Sequence, residues 1–102
     1  MQTDMAFVIA KGDPRREVVA VMPGHAGTNE WVDSCTCYVH LGQHSAASIQ
    51  HIMDDYEDAS CTEYADLLYE LQCIGYSVNV IPAYRVGDLE YVNSRRDDCC
   101  VN

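Results

Sequence analysis

The chain has 102 residues, of which 48 % are apolar, and sixteen acidic side chains against six basic ones give a formal net charge of -10. That size and apolar content fit one small domain with its own core and exclude a disordered chain. The charge excludes direct binding of nucleic acid through its phosphates and favours basic protein surfaces as partners. The basic residues are also segregated. Lys11, Arg15 and Arg16 precede Glu17, Arg85, Arg95 and Arg96 follow Tyr84, and no Lys or Arg lies between.

Taken in chain order, Met5 to Lys11 reads as a short apolar strand with Phe7 and Ile9 on one face. Gly12-Asp13-Pro14 is turn chemistry, and Glu17 to Met22 is a second, Val-rich strand, so the pair reads as an antiparallel hairpin. Pro23 to Asn29 contains two glycines and a proline and reads as a loop. Ser34 to Leu41 is a third strand, with Cys35, Cys37 and Val39 on one face and Thr36, Tyr38 and His40 on the other.

Ser45 is positioned to cap a first helix, in which Ile49, Ile52, Met53 and Tyr56 form a buried stripe. Asp54, Asp55, Glu57 and Asp58 cluster near its end, where carboxylates oppose the helix dipole. Either that helix ends early or the cluster has a use. Ser60-Cys61-Thr62-Glu63 has the form of a capping box and opens a second helix with Tyr64, Leu67, Leu68 and Leu71 on one face. Cys73 is expected to be a small core residue, and Gly75 is the expected stop. Tyr76 to Ile81 alternates as a fourth strand limited by Pro82.

The expected fold is therefore α+β, a mainly antiparallel sheet in the order β-β-β-α-α-β with both helices on one face. The domain spans 1–86, and 87–102 reads as a polar, mobile tail that could add a short strand at Leu89, Tyr91 and Val92. No apolar run approaches the ~20 residues of a membrane-spanning helix. With no export signal in view, the expected location is the cytoplasm and the six cysteines are expected to be reduced.

The segments Cys37-Tyr38-Val39-His40-Leu41-Gly42-Gln43-His44-Ser45, Glu63-Tyr64-Ala65-Asp66-Leu67 and Glu70-Leu71-Gln72-Cys73-Ile74-Gly75-Tyr76 resemble a family of small proteins of phages and bacterial mobile elements. That family carries Tyr-x-His-x-Gly-Gln-His-Ser followed by Glu-Tyr-x-x-Leu and Glu-Leu-x-x-Ile-Gly-Tyr. The resemblance covers roughly residues 16 to 81 and implies a mobile-element origin and a compact α+β unit. It brings no catalytic residues, and the acidic cluster and the cysteine-bearing tail are not features of it.

Two motifs compete for chemistry. Cys35-x-Cys37-x-x-His40-x-x-x-His44 holds the residue types zinc takes, but strand alternation sets His40 on the face opposite the cysteines. The turn of Tyr38, His40, Gln43 and His44 could form a histidine site, yet no nucleophile or oxyanion device accompanies it, so no enzyme is expected. Cys99-Cys100-Val101-Asn102 has the outline of a prenylation box with an atypical last residue, and is read as coincidence.

The leading expectation is a small acidic inhibitor or adaptor from a mobile element, cofactor-free. It would bind a basic host protein or ribonucleoprotein, such as a CRISPR-type defence complex, as a nucleic-acid mimic. The chain resembles small acidic inhibitors of those complexes in size and charge, not in sequence. The residues expected to carry binding are Asp54, Asp55, Glu57 and Asp58, with Glu63, Asp66 and Glu70 as a second face and Trp31 and Tyr56 as aromatic anchors. The alternatives are a zinc-binding or histidine-dependent module centred on Cys37, His40 and His44, and a structural or self-associating phage protein.

Overall fold

A computed structural model describes residues 2–26, 34–39 and 44–88. Its first strand, β1 (Thr3–Ala10), is the centre of the molecule. Met5, Ala6, Phe7, Val8 and Ile9 are all buried, so both faces of this strand are covered. An unbroken apolar run is what a doubly covered strand requires. Fully burying a side chain such as Phe7 or Ile9 stabilises the fold by about 1.5–3 kcal/mol.

The hairpin forms as the sequence indicates. β2 (Val18–Ala26) pairs antiparallel with β1, with Ala6 opposite Val21 and Val8 opposite Val19. β3 (Ser34–Tyr38) pairs antiparallel with β2, placing Cys37 opposite Val21 and Tyr38 opposite Ala20. The expected loop from Pro23 is instead a continuation of β2: the register jumps from Met22–Thr36 to Ala26–Cys35. Such a bulge tolerates Pro23, which has no N–H for the ladder and whose side chain is buried.

The first helix begins later than Ser45. His44–Ser48 form β4, an antiparallel partner of β3. The small residues of this segment allow a helix, but the open hydrogen-bonding edge of β3 offers a ladder to the backbone groups that face it. Ser48 is the observed cap of α1 (Ile49–Asp55), its Oγ accepting from the His51 amide. The helix does end early. Tyr56–Asp58 form β5 and pair with the second half of β1, Tyr56 opposite Ala10 and Asp58 opposite Val8.

The second helix matches its signature. α2 (Cys61–Ile74) is capped reciprocally by Ser60 and Glu63 and ends at Gly75, whose φ of 126° suits glycine. β6 (Val78–Val80) then runs parallel to the first half of β1, Thr3 opposite Val78, so β5 and β6 share one edge of the same strand. A 3-10 turn at Ala83–Arg85 follows. The sheet order is β4-β3-β2-β1-β5 with β6 also on β1. The α+β class and the mainly antiparallel sheet hold, and the chain order is corrected to β-β-β-β-α-β-α-β.

The two helices do not share a face. Ile49 and Ile52 of α1 pack with Ala6, Val8, Val21, Cys35, Cys37 and Val86. Leu67 and Leu71 of α2 pack with Met5, Phe7, Ala20, Met22 and Tyr38. In β1 these are alternate residues, so the helices cover opposite sides of the sheet. Of the segment 87–102, only Gly87 and Asp88 are described, and the expected strand at Leu89, Tyr91 and Val92 lies outside the described residues.

Candidate partner-binding surface

The four carboxylates of 54–58 do not form one helical face. Asp54 and Asp55 occupy the last turn of α1, while Glu57 and Asp58 point to opposite sides of β5. Each has a local partner. Gln50 Nε2 donates to both oxygens of Asp54 at 2.9 and 3.0 Å. His51 Nδ1 lies 2.7 Å from Asp55 Oδ2. Glu57 is 3.7 Å from the Arg16 guanidinium, and Asp58 accepts from the Ala83 amide at 2.8 Å.

The basic residues that the sequence sets apart return in space. The Lys11 amide donates to the Asp55 carbonyl at 2.8 Å and its Nζ to the Asp54 carbonyl at 3.2 Å, supplying donors to carbonyls that α1 leaves open at its end. Arg16, held at a φ of 51°, donates from Nε and Nη2 to Glu63 at 3.0 and 3.2 Å. The Asp13 carboxylate braces that loop by accepting from the Arg15 and Glu17 amides, which also hold its own pKa below the ordinary value. The Arg16 guanidinium, then the Ser60 amide, lower the Glu63 pKa to about 2.

The second expected face is the coherent one. Glu63, Asp66 and Glu70 follow one another along α2 at spacings that stack side chains on a single side. With Glu17 and Arg16 from the hairpin they rim an open groove of about 270 Å³ floored by Val18, Val39 and Leu67. The hydroxyl of Tyr38, a fully buried side chain, donates to Glu70 Oε2 and fixes that carboxylate at the groove wall. Glu17 and Arg16 carry no sequence signal for this site, because only the fold of the β1–β2 hairpin brings them against α2.

The aromatic anchors fare differently. Tyr56 is half-buried against the α1 side of the core and meets His51 edge-on at 5.5 Å, so most of its ring is already spent on the fold. Burial, more than neighbouring charge, raises its pKa. Trp31 lies outside the described residues.

The cysteine–histidine motif is divided. Cys35 and Cys37 are buried in the core on the α1 side, and His40 and Gln43 lie outside the described residues. The backbone of His44 is the register partner of Tyr38, not of either cysteine. Among the described residues, no three His, Cys, Asp or Glu side chains come together as metal ligands. Cys35, Cys37, Cys61 and Cys73 are thiols rather than disulfide halves. Contrary to expectation, Cys73 is exposed, because the buried stripe of α2 passes through Leu67 and Leu71 instead. Among the described residues, no helix is long and apolar enough to cross a membrane.

Comparison with protein-family models, with curated proteins and with solved structures finds no match for this chain.

Proposed function

We propose that the chain is an acidic protein-binding module, an inhibitor or adaptor of mobile-element origin, and that its docking surface is the α2 groove rather than the end of α1. The observation that carries this reading is the groove itself. Glu17, Asp66 and Glu70 rim an apolar floor of Val18, Val39 and Leu67. Carboxylates around an apolar floor suit the long side chains of Arg and Lys, whose methylenes pack while the charged head meets the rim. Arg16 makes this contact internally, with two nitrogens on Glu63. The partner is a basic protein surface of the kind that handles nucleic acid, in a bacterial host complex of the CRISPR type. The chain acts there by occupying the surface rather than by catalysis.

The test is capture of basic proteins from bacterial lysate on immobilised protein, eluted with a salt gradient. The wild type is compared with the double variant Glu17→Gln/Asp66→Asn, two exposed positions outside the core. The expected outcome is salt-released capture by the wild type, competed by DNA, and earlier elution from the variant, because rim charges set association rate and salt dependence. Equal elution from both proteins refutes the groove as the docking site.

A further inference from the structure

The groove along α2 has a shape as well as a charge. At about 270 Å³ it lies below the ~300–1,000 Å³ of pockets that enclose a drug-sized molecule, so it suits one side chain of a partner. Its floor is Val18, Val39 and Leu67, and its rim is Glu17, Glu63, Asp66 and Glu70 with Arg16. The rim carboxylates are not equivalent. Two of them, Glu63 and Glu70, are held by side chains from other elements.

Glu63 is already matched with a guanidinium. Arg16 donates to its two oxygens from Nε at 3.0 Å and from Nη2 at 3.2 Å, and Nη1 lies 3.7 Å from Glu57. The Arg16 backbone stands at a φ of 51°, and its amide donates to the Asp13 carbonyl at 3.2 Å. A residue other than glycine keeps that conformation only where its surroundings hold it there. Arg16 is thus a fixed part of the wall, with its charge offset by two carboxylates. It also displays the pairing this rim makes, a planar fork against a carboxylate.

Glu70 is set from beneath. Its side chain accepts at Oε2 from the hydroxyl of Tyr38, which is itself fully buried. Tyr38 belongs to β3 and packs with Phe7, Ala20 and Leu67, so its hydroxyl has little freedom. An ionised carboxylate accepts at about four lone-pair sites, and this one hydrogen bond orients Glu70 without exhausting them. An acceptor oriented in advance favours a donor of fixed geometry. Guanidinium presents five N–H donors in a rigid plane and is weakly hydrated, whereas ammonium is a compact, strongly hydrated point charge.

We propose that the α2 groove selects arginine over lysine, that Glu70 reads the guanidinium, and that Tyr38 is the positioning residue for Glu70. The occupant is an arginine side chain of the basic partner protein. Its methylenes lie on Val18 and Leu67, and its fork meets Glu70 and Asp66, which stand one helical turn apart. The inference rests on the groove being the docking surface and adds which basic side chain it takes.

The experiment is an NMR titration of the isotope-labelled full chain at low salt with two capped tripeptides of equal charge, acetyl-Ala-Arg-Ala-amide and acetyl-Ala-Lys-Ala-amide. The arginine peptide is expected to shift the amide signals of Val18, Asp66, Leu67 and Glu70. It should bind about tenfold more tightly than the lysine peptide, the factor that one added charge-assisted hydrogen bond supplies. Glu70→Gln should abolish most of that preference. Tyr38→Phe keeps the ring and every rim charge, and should reduce the preference by at least about threefold. A purely structural Tyr38 would change stability and leave the ratio of the two affinities alone, and that result overturns its positioning role. Equal affinity for the two peptides overturns the selectivity, as does an unchanged ratio in Glu70→Gln or the absence of signal changes at the groove. If affinities are equal while Glu17→Gln/Asp66→Asn still elutes basic proteins earlier, the selectivity fails and the docking surface stands. Glu70→Gln alters a half-exposed rim residue, so it decides alone should Tyr38→Phe unfold.

Discussion

The two helices of this protein make an instructive pair. α2 runs for fourteen residues, begins with Ser60 and Glu63 satisfying each other's amides, and has Glu63 tied again to Arg16. α1 runs for seven, begins with one long hydrogen bond to Ser48, and ends on two carboxylates. Both lay an apolar stripe on the same sheet from opposite sides. The difference lies in length and in how fully the first amides of each helix are capped.

The largest expected effect is on the α2 side. Phe7 is buried beneath that helix and stacks on Tyr64 with ring centroids 4.6 Å apart. Phe7→Ala should cost about 3–5 kcal/mol in urea denaturation, enough to leave little of the fold in a domain of this size. If the loss is under ~1 kcal/mol, the α2 layer is not part of the cooperative core.

The caps sharpen the contrast. Ser60→Ala should cost about 1 kcal/mol and Ser48→Ala less, because the first removes one half of a reciprocal pair and the second a single weak bond. Amide exchange read residue by residue should show α1 opening faster than α2 in the wild type. Equal protection in the two helices would erase the distinction.

The smallest effect is the pH dependence of the Arg16–Glu63 tie. The Glu63 pKa is depressed to about 2 from an ordinary 4.5, so its stabilisation is present above the unfolded value and is lost as pH falls from about 5 towards 2. The urea midpoint of the wild type should exceed that of Glu63→Gln at pH 6, and the gap should narrow steadily as pH falls towards 2. A gap that stays constant across this range would show that the charge of Glu63 contributes nothing.

Much of the α2 half is legible in the sequence because its signals are local. The Ser60–Glu63 box, the Leu67/Leu71 stripe and Gly75 each act within a few residues, and the helix starts and stops where they indicate. The other half depends on pairings across distance. Ser45 to Ser48 are competent for either helix or strand, and only the unpaired edge of β3 decides for strand. Asp54 to Asp58 read as a charged helix end, but the Asp54 carbonyl meets Lys11 and Glu57 meets Arg16, each more than forty positions back. A sign-segregated sequence therefore does not fold into a sign-segregated surface. The placement of the helices on opposite faces was marked in the sequence by the unbroken apolar run of β1, since a strand covered on one side alternates.

The parallel pairing of β6 with β1 bears on the order in which the chain matures on the ribosome. The Asn79 side-chain Nδ2 donates to Asp4 Oδ1 at 2.9 Å across 75 positions, while β1 and β2 join through a short turn. The hairpin can form as soon as both its strands emerge, but the other edge of β1 stays bare until β5 and then β6 are made. A nascent chain thus carries an apolar, unsatisfied edge for much of its synthesis, and such an edge invites pairing with another copy. Of the described pairings, the one between β6 and β1 is the last whose residues are all synthesised.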